Sequence, residues 1–140
     1  MTVPAWPTTL PRPERSTFQM TPAEARLKRR ADAGAPAYRL RFSGVPKLVT
    51  MSILVTRAGK SVFDLFHQND TRWGSLPFTM PDPTTEGWPM TDAAGNPLSD
   101  GAGNPLLMSG TWLCMFGEQP PVETIVGVRF RKTFNIVVLP

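Results

Sequence analysis

His67 and Cys114 are the only imidazole and the only thiol in the chain, so any chemistry by either group begins with them. His67 follows Phe66 near the end of a helical pattern, where a partly exposed or capping imidazole is the ordinary expectation. Cys114 lies in the apolar run Trp112-Leu113-Cys114-Met115-Phe116, in which a lone cysteine is a small core residue. Neither has a partner at a spacing that suggests proton transfer. Asp64 and Asp70, six apart, do not share a helix face as a carboxylate pair would. A small-hydrolase reading would rest on His67 and these scattered carboxylates alone. The sequence predicts no catalytic residue.

Ligand chemistry is equally sparse. One cysteine forms neither an intramolecular disulfide nor a metal cluster. Gly101-Ala102-Gly103 neither follows a strand nor opens a helix, as a phosphate-cradling loop must. Asp92 and Asp100 open two copies of one eight-residue pattern, 92–99 and 100–107, each holding an Asp, a Gly-Asn-Pro breaker and a Leu. A calcium loop needs denser acidic spacing. The repeat is turn chemistry twice over and predicts a protruding loop. No cofactor and no metal are expected.

What the chain does carry is sorted charge. Residues 1–60 hold eleven Lys or Arg against three acids, net +8; residues 61–125 hold Arg72 against eight acids, net −7. The last fifteen residues add +3, for +4 overall. Such a chain can present a basic face and an acidic face, through which copies attract one another head to tail. The run Lys28-Arg29-Arg30, with Arg26, Arg39 and Arg41, is also the kind of cluster that binds phosphate backbones. Against that stands the alternation of Tyr38, Leu40 and Phe42 with Arg39 and Arg41, which predicts that the aromatics face the core. The acidic middle block would also oppose a phosphate backbone. A solvated basic face is the plainer expectation.

The elements that must position these residues follow from the punctuation. The length, 140 residues, suits one domain, and 41% hydrophobic residues permit a core. Sixteen prolines exclude a mostly helical chain. Prolines at 4, 7, 11, 13 and 22 predict an extended N-terminal arm, residues 1–22, whose Trp6, Leu10 and Phe18 pack on the chain's own body or on a neighbour. Thr21-Pro22-Ala23-Glu24 is a helix-start signal and predicts a short helical turn over 23–33. Strands are expected at 37–43, 47–56, 73–80, 111–117 and 124–131, the last continued by or paired with 132–139. Between them Thr56 caps a helix over 57–68 with Val62, Phe63, Leu65 and Phe66 as its apolar stripe. The expectation is an α+β domain over 23–140, mainly antiparallel β-sheet with one packed helix and a long loop insertion at about 81–110. No stretch is apolar enough to span a bilayer and the N-terminus lacks a hydrophobic signal core, which predicts a chain kept in a reducing cytosol or assembled there.

Several short motifs in order resemble a known group. They are Trp6-Pro7-x-x-Leu10-Pro11, Ala31-Asp32-Ala33-Gly34, Arg39-x-Arg41-Phe42, Phe63-x-x-Phe66, Gly74-Ser75-Leu76-Pro77-Phe78, Asp82-Pro83-Thr84-Thr85 and the terminal Val138-Leu139-Pro140. Together they resemble the small tail proteins of long-tailed, non-contractile bacteriophages. The Gly-Asn-Pro-Leu repeat is an insertion relative to that pattern, and the stretch from Arg12 to Arg30 is more basic than it.

The resemblance implies a structural virion protein, assembled in the host cytoplasm. Copies would form a homo-oligomeric ring or collar in the distal tail or baseplate region and dock other tail proteins. The subunit-interface candidates are Trp6 and Leu10, clasping a neighbour, with Arg29, Arg30, Arg39 and Arg41 meeting an acidic surface. The alternative is a basic head–tail junction or nucleic-acid-associated virion protein.

Overall fold

The computed structural model describes residues 3–30 and 33–140. In chain order the strands are β1 (Gln19–Pro22), β2 (Arg26–Arg29), β3 (Ala37–Leu40), β4 (Lys47–Val55), β5 (Phe78–Pro81), β6 (Thr111–Phe116), β7 (Val122–Val126) and β8 (Arg129–Val138). One helix, α1 (Arg57–Leu65), runs into a single π-helical turn, Phe66–Asp70. The fold is α+β, mainly antiparallel sheet with one short helix.

β4 and β8 form the spine because both are long and rich in branched and aromatic residues. They pair antiparallel from Lys47 opposite Val138 to Val55 opposite Phe130. β1 adds to the far side of β4, while β6 and β7 share the far side of β8, and β5 pairs with β6. The predicted strand at 124–131 is therefore a hairpin, β7 and β8 joined by Gly127-Val128. Gly127, at the first central position, has φ +60°, as a type II′ turn requires.

Alternation gives the sheet one apolar face. Val49, Met51, Ile53 and Val55 from β4, Phe134, Ile136 and Val138 from β8, Cys114 and Phe116 from β6, and Phe78 and Met80 from β5 are all buried. Helix α1 covers this face with Phe63, and the π turn adds Phe66. Thr56 caps the helix as expected, its Oγ1 accepting from the Gly59 amide at 3.3 Å. Leu65, placed in the apolar stripe by its type, is exposed instead. It lies two residues, about 200° round the helix, from Phe63.

The N-terminal segment completes this core. The Trp6 amide donates to the Thr79 carbonyl and the Thr79 amide to the Pro4 carbonyl, at 2.7 and 2.9 Å. The indole then sits among four phenylalanines, with ring centroids 5.5–5.9 Å from Phe63, Phe66, Phe78 and Phe134. Trp6 and Leu10 are only 7% and 8% exposed. On the opposite face, residues 14–17 cover β4: the Glu14 amide donates to the Ser52 carbonyl, and the Ser52 hydroxyl meets both Thr17 and Glu14.

Two expectations are corrected. The helical turn over 23–33 is a strand, β2, paired with β3 in a separate two-stranded ribbon; Ala31 and Asp32 lie outside the described residues. Leu27 is the one large apolar residue there, so a helix would have had no face to bury, whereas pairing with 37–40 satisfies the backbone. The core-facing side of Tyr38, Leu40 and Phe42 is also not buried; Leu40 is 68% exposed. Between the Ala23–Pro46 and Ala25–Arg41 hydrogen bonds, one residue on the first strand faces four on the second. A bulge of that size turns the ribbon away from the sheet, so nothing lies beneath it.

Trp6→Ala should cost about 3–5 kcal/mol, the range for truncating a buried tryptophan. Chemical denaturation would check this. Deleting residues 1–10 should unfold the chain, seen as loss of its near-ultraviolet circular dichroism.

Candidate functional site

The charged residues sort into those that neutralise one another within the chain and those left facing outward. Lys132, on the buried face of β8, is the centre of the first group. Its Nζ donates to Asp64 of α1 and Glu123 of β7, both at 2.7 Å. Lys60, one turn before Asp64 on α1, bonds the same two carboxylates at 3.1 and 3.0 Å. Two cations and two anions thus bolt the helix to the β7–β8 hairpin. Burial pushes the Asp64 carboxyl up, but hydrogen bonds from Lys132 and Lys60 outweigh it and hold it below its usual value. Bonds from Lys132 and Lys60 likewise lower Glu123, and bonds from Glu123 and Asp64 raise Lys60. On the other face Arg131 forks onto Glu14 at 2.8 and 3.2 Å, and that bond lowers the Glu14 pKa.

Of the two residues with chemical potential, Cys114 is buried and His67 is partly exposed, as its place near the helix end predicts. Cys114 is fully buried, its Sγ 3.6 Å from the Phe78 carbonyl, and burial pushes the thiol up to about 12. A thiol that remains protonated is a poor nucleophile. His67, in the π turn, stacks on Phe63 and meets Phe116 and Trp73 edge-on. Burial lowers its pKa, more than the nearby Asp64 raises it. The turn that follows is backbone-strained: Arg72, Trp73 and Gly74 have successive φ of +49°, +59° and +85°. It holds Trp73 70% exposed beside the imidazole. The sequence places Trp73 at the head of a strand and carries no sign of this turn.

Of the cations facing outward, which include Arg12, Arg15, Lys47, Arg57, Arg72 and Arg129, the densest group is on the ribbon. Register places Leu27, Arg29 and Arg39 on one side, with Arg41 next in line, and Arg26, Lys28, Tyr38 and Leu40 on the other. Arg30, just past β2, follows the parity of Lys28. Arg26 forks onto Glu24 and lies 4.3 Å from the Tyr38 ring; its side-chain bonds hold Glu24 down to about 2. Among the described residues Lys28, Arg29, Arg30, Arg39 and Arg41 make no ion pair. The structure therefore brings together the four arginine candidates and separates them from Trp6 and Leu10. Those two are buried in the chain's own core.

The repeat folds as well. Met90, Leu98 and Leu106, eight residues apart, bond in a closed ring: Met90 donates to Leu106, Leu106 to Leu98 and Leu98 to Met90, at 2.8–3.0 Å. Each intervening turn is built the same way. The Oδ1 of Asp92 accepts the amides of Ala94 and Asn96, and that of Asp100 accepts those of Ala102 and Asn104, all at 2.9 Å. Both aspartates are turn caps. Every residue from Trp88 to Leu107 is exposed. Among the described residues no helix is long and apolar enough to cross a membrane.

Lys132→Ala should destabilise the fold by about 1–3 kcal/mol. That is below the cost of breaking a fully buried pair, because both carboxylates keep about a third of their side chains in water. Equilibrium denaturation would measure it. As the only histidine, His67 should give a clean proton NMR titration with its midpoint below 6.5. Since the folded value is the depressed one, its contribution to stability is full above 6.5 and is lost as the pH falls from there through the folded value. No family model matches the chain, and no curated protein matches its sequence.

Proposed function

We propose that this chain is a structural protein of a long-tailed, non-contractile bacteriophage. Copies assemble as a homo-oligomeric ring or collar in the distal tail or baseplate region and dock other tail proteins. The reading is supported by the ordered run of short motifs from Trp6-Pro7 to Leu139-Pro140. The single observation that carries assembly is the β2–β3 ribbon. It is a sheet of its own, five of its cations make no ion pair among the described residues, and Leu27, Tyr38, Leu40 and Phe42 on it are exposed. Aliphatic side chains held in water on a projecting ribbon mark an interaction surface. In this reading the chain works by binding and needs no catalytic group. Assembly takes place in the host cytoplasm, and the finished virion is where the protein resides. The Gly-Asn-Pro-Leu repeat at 92–107, within the long loop at about 81–110, is an insertion relative to the family pattern.

A basic head–tail junction or nucleic-acid-associated virion protein is the second reading. One observation favours it: Tyr38 and Phe42 are exposed on the same basic ribbon instead of lying in the core. Phosphate binding would weaken steeply with rising salt in a mobility-shift assay.

Purified particles should contain the protein, and antibody labelling should place it at the distal end of the tail. Its absence from the particles would refute the virion reading, and label at the head–tail junction would favour the second.

A further inference from the structure

Two surfaces project from this chain, and neither has a counterpart within it. The ribbon is basic and carries aliphatic side chains on both faces. The folded repeat is its chemical complement. From Trp88 to Leu107 it has Asp92 and Asp100 and no Lys or Arg, and Met90, Leu98, Leu106 and Leu107 on it are all exposed. Among the described residues no hydrogen bond, ion pair or ring contact joins ribbon to repeat inside one chain.

We propose that the ribbon of one copy docks on the folded repeat of the next. The inference deepens the homo-oligomer reading and depends on it. Such a contact is heterologous: each copy keeps a ribbon free at one end and a repeat free at the other, so addition continues until a ring closes.

Charge complementarity selects the occupant. Arg29, Arg39 and Arg41 run along one side of the ribbon with Leu27, and need an acidic surface with an apolar centre. Asp92 and Asp100 supply charge on the repeat, and Leu98 and Leu107 supply cover. A phosphate backbone would satisfy the guanidiniums but leave Leu27, on the same side, in water. Tyr38, the aromatic best placed to stack a base, already carries Arg26 on its ring. The repeat is stiffened by its closed hydrogen-bond ring and two aspartate caps, so little ordering is lost when it is bound. The ribbon gains more, since two strands alone are marginal in water.

Sedimentation velocity on the full chain tests this with two variants. R29E/R39E/R41E disables the ribbon and L98K/L107K disables the repeat. The native chain should associate with rising concentration, less so at high salt. Each variant alone should be monomeric with an unchanged melting temperature. Mixed in equal amounts they should give a heterodimer and nothing larger, because only one intact ribbon meets one intact repeat. The milder R29Q/R39Q/R41Q, which removes charge without reversing it, should weaken association about tenfold.

A variant that assembles like the native chain, or a mixture that stays monomeric, overturns this contact and leaves the ring reading standing. A native chain that is monomeric at every concentration and salt, with tail proteins present, overturns both. Duplex DNA binding that R29E/R39E/R41E abolishes while association is unchanged assigns the ribbon to nucleic acid and overturns the proposal.

Discussion

The packing of Trp6 among Phe63, Phe66, Phe78 and Phe134 ties together elements that are distant in the chain. The four rings come from the helix, the π turn after it, β5 and β8, and the indole enters from a segment with no regular structure of its own. A tryptophan buries about 150–250 Å², so its transfer to the core supplies about 4–6 kcal/mol. For a domain whose net stability is about 5–15 kcal/mol, that is a large share. The prolines around it serve the same end. They limit the freedom of the unfolded segment and so reduce the entropy lost when the indole is placed.

The same core sets which charges are available to a partner. By laying α1 across β8 and folding β7 back beside it, the sheet brings Lys60, Asp64, Glu123 and Lys132 within 2.7–3.1 Å of one another. Arg131 is similarly taken by Glu14. Asp64 and Glu123 of the acidic middle are neutralised in this way, by one lysine from the basic start of the chain and one from its basic end. The unpaired cations of the ribbon and the uncompensated acids of the repeat remain, on two projections. Orientation and encounter rate between copies would come from these charges, and affinity from the aliphatic side chains around them.

Much of the sheet was legible from period-two alternation. β8 shows it plainly, with burial at every second residue from Lys132 to Val138, whereas β6 reads as an apolar run and β4 buries Ser52 as well as its apolar side. The cap at Thr56 and the inertness of Cys114 were equally readable, because each depends on neighbours close in sequence. The ribbon was not. Tyr38, Leu40 and Phe42 alternate as a half-buried strand should, but alternation records only that one side differs from the other. Whether anything covers the apolar side depends on the extra residues at 42–45 opposite Glu24, a mismatch set by pairing between segments nearly twenty positions apart. The strained turn at Arg72–Gly74 was invisible for a related reason. Positive φ at Arg72 and Trp73 is imposed by hydrogen bonds around Thr71, not preferred by those residues.

Residue types alone therefore determined a one-sided antiparallel sheet, one capped helix, two identical turns and a sorted distribution of charge. Each follows from local sterics, periodicity or composition, which a chain carries whatever its surroundings. Tertiary structure decided that Trp6 and Leu10 belong to the chain's own core, that two lysines spend their charge internally, and that Arg29, Arg39 and Arg41 share one side of a ribbon with no ion pair among the described residues. It also closed the eight-residue repeat into a ring of backbone hydrogen bonds. Those outcomes depend on which distant groups meet. Burial and pairing are properties of the folded neighbourhood rather than of any residue in it.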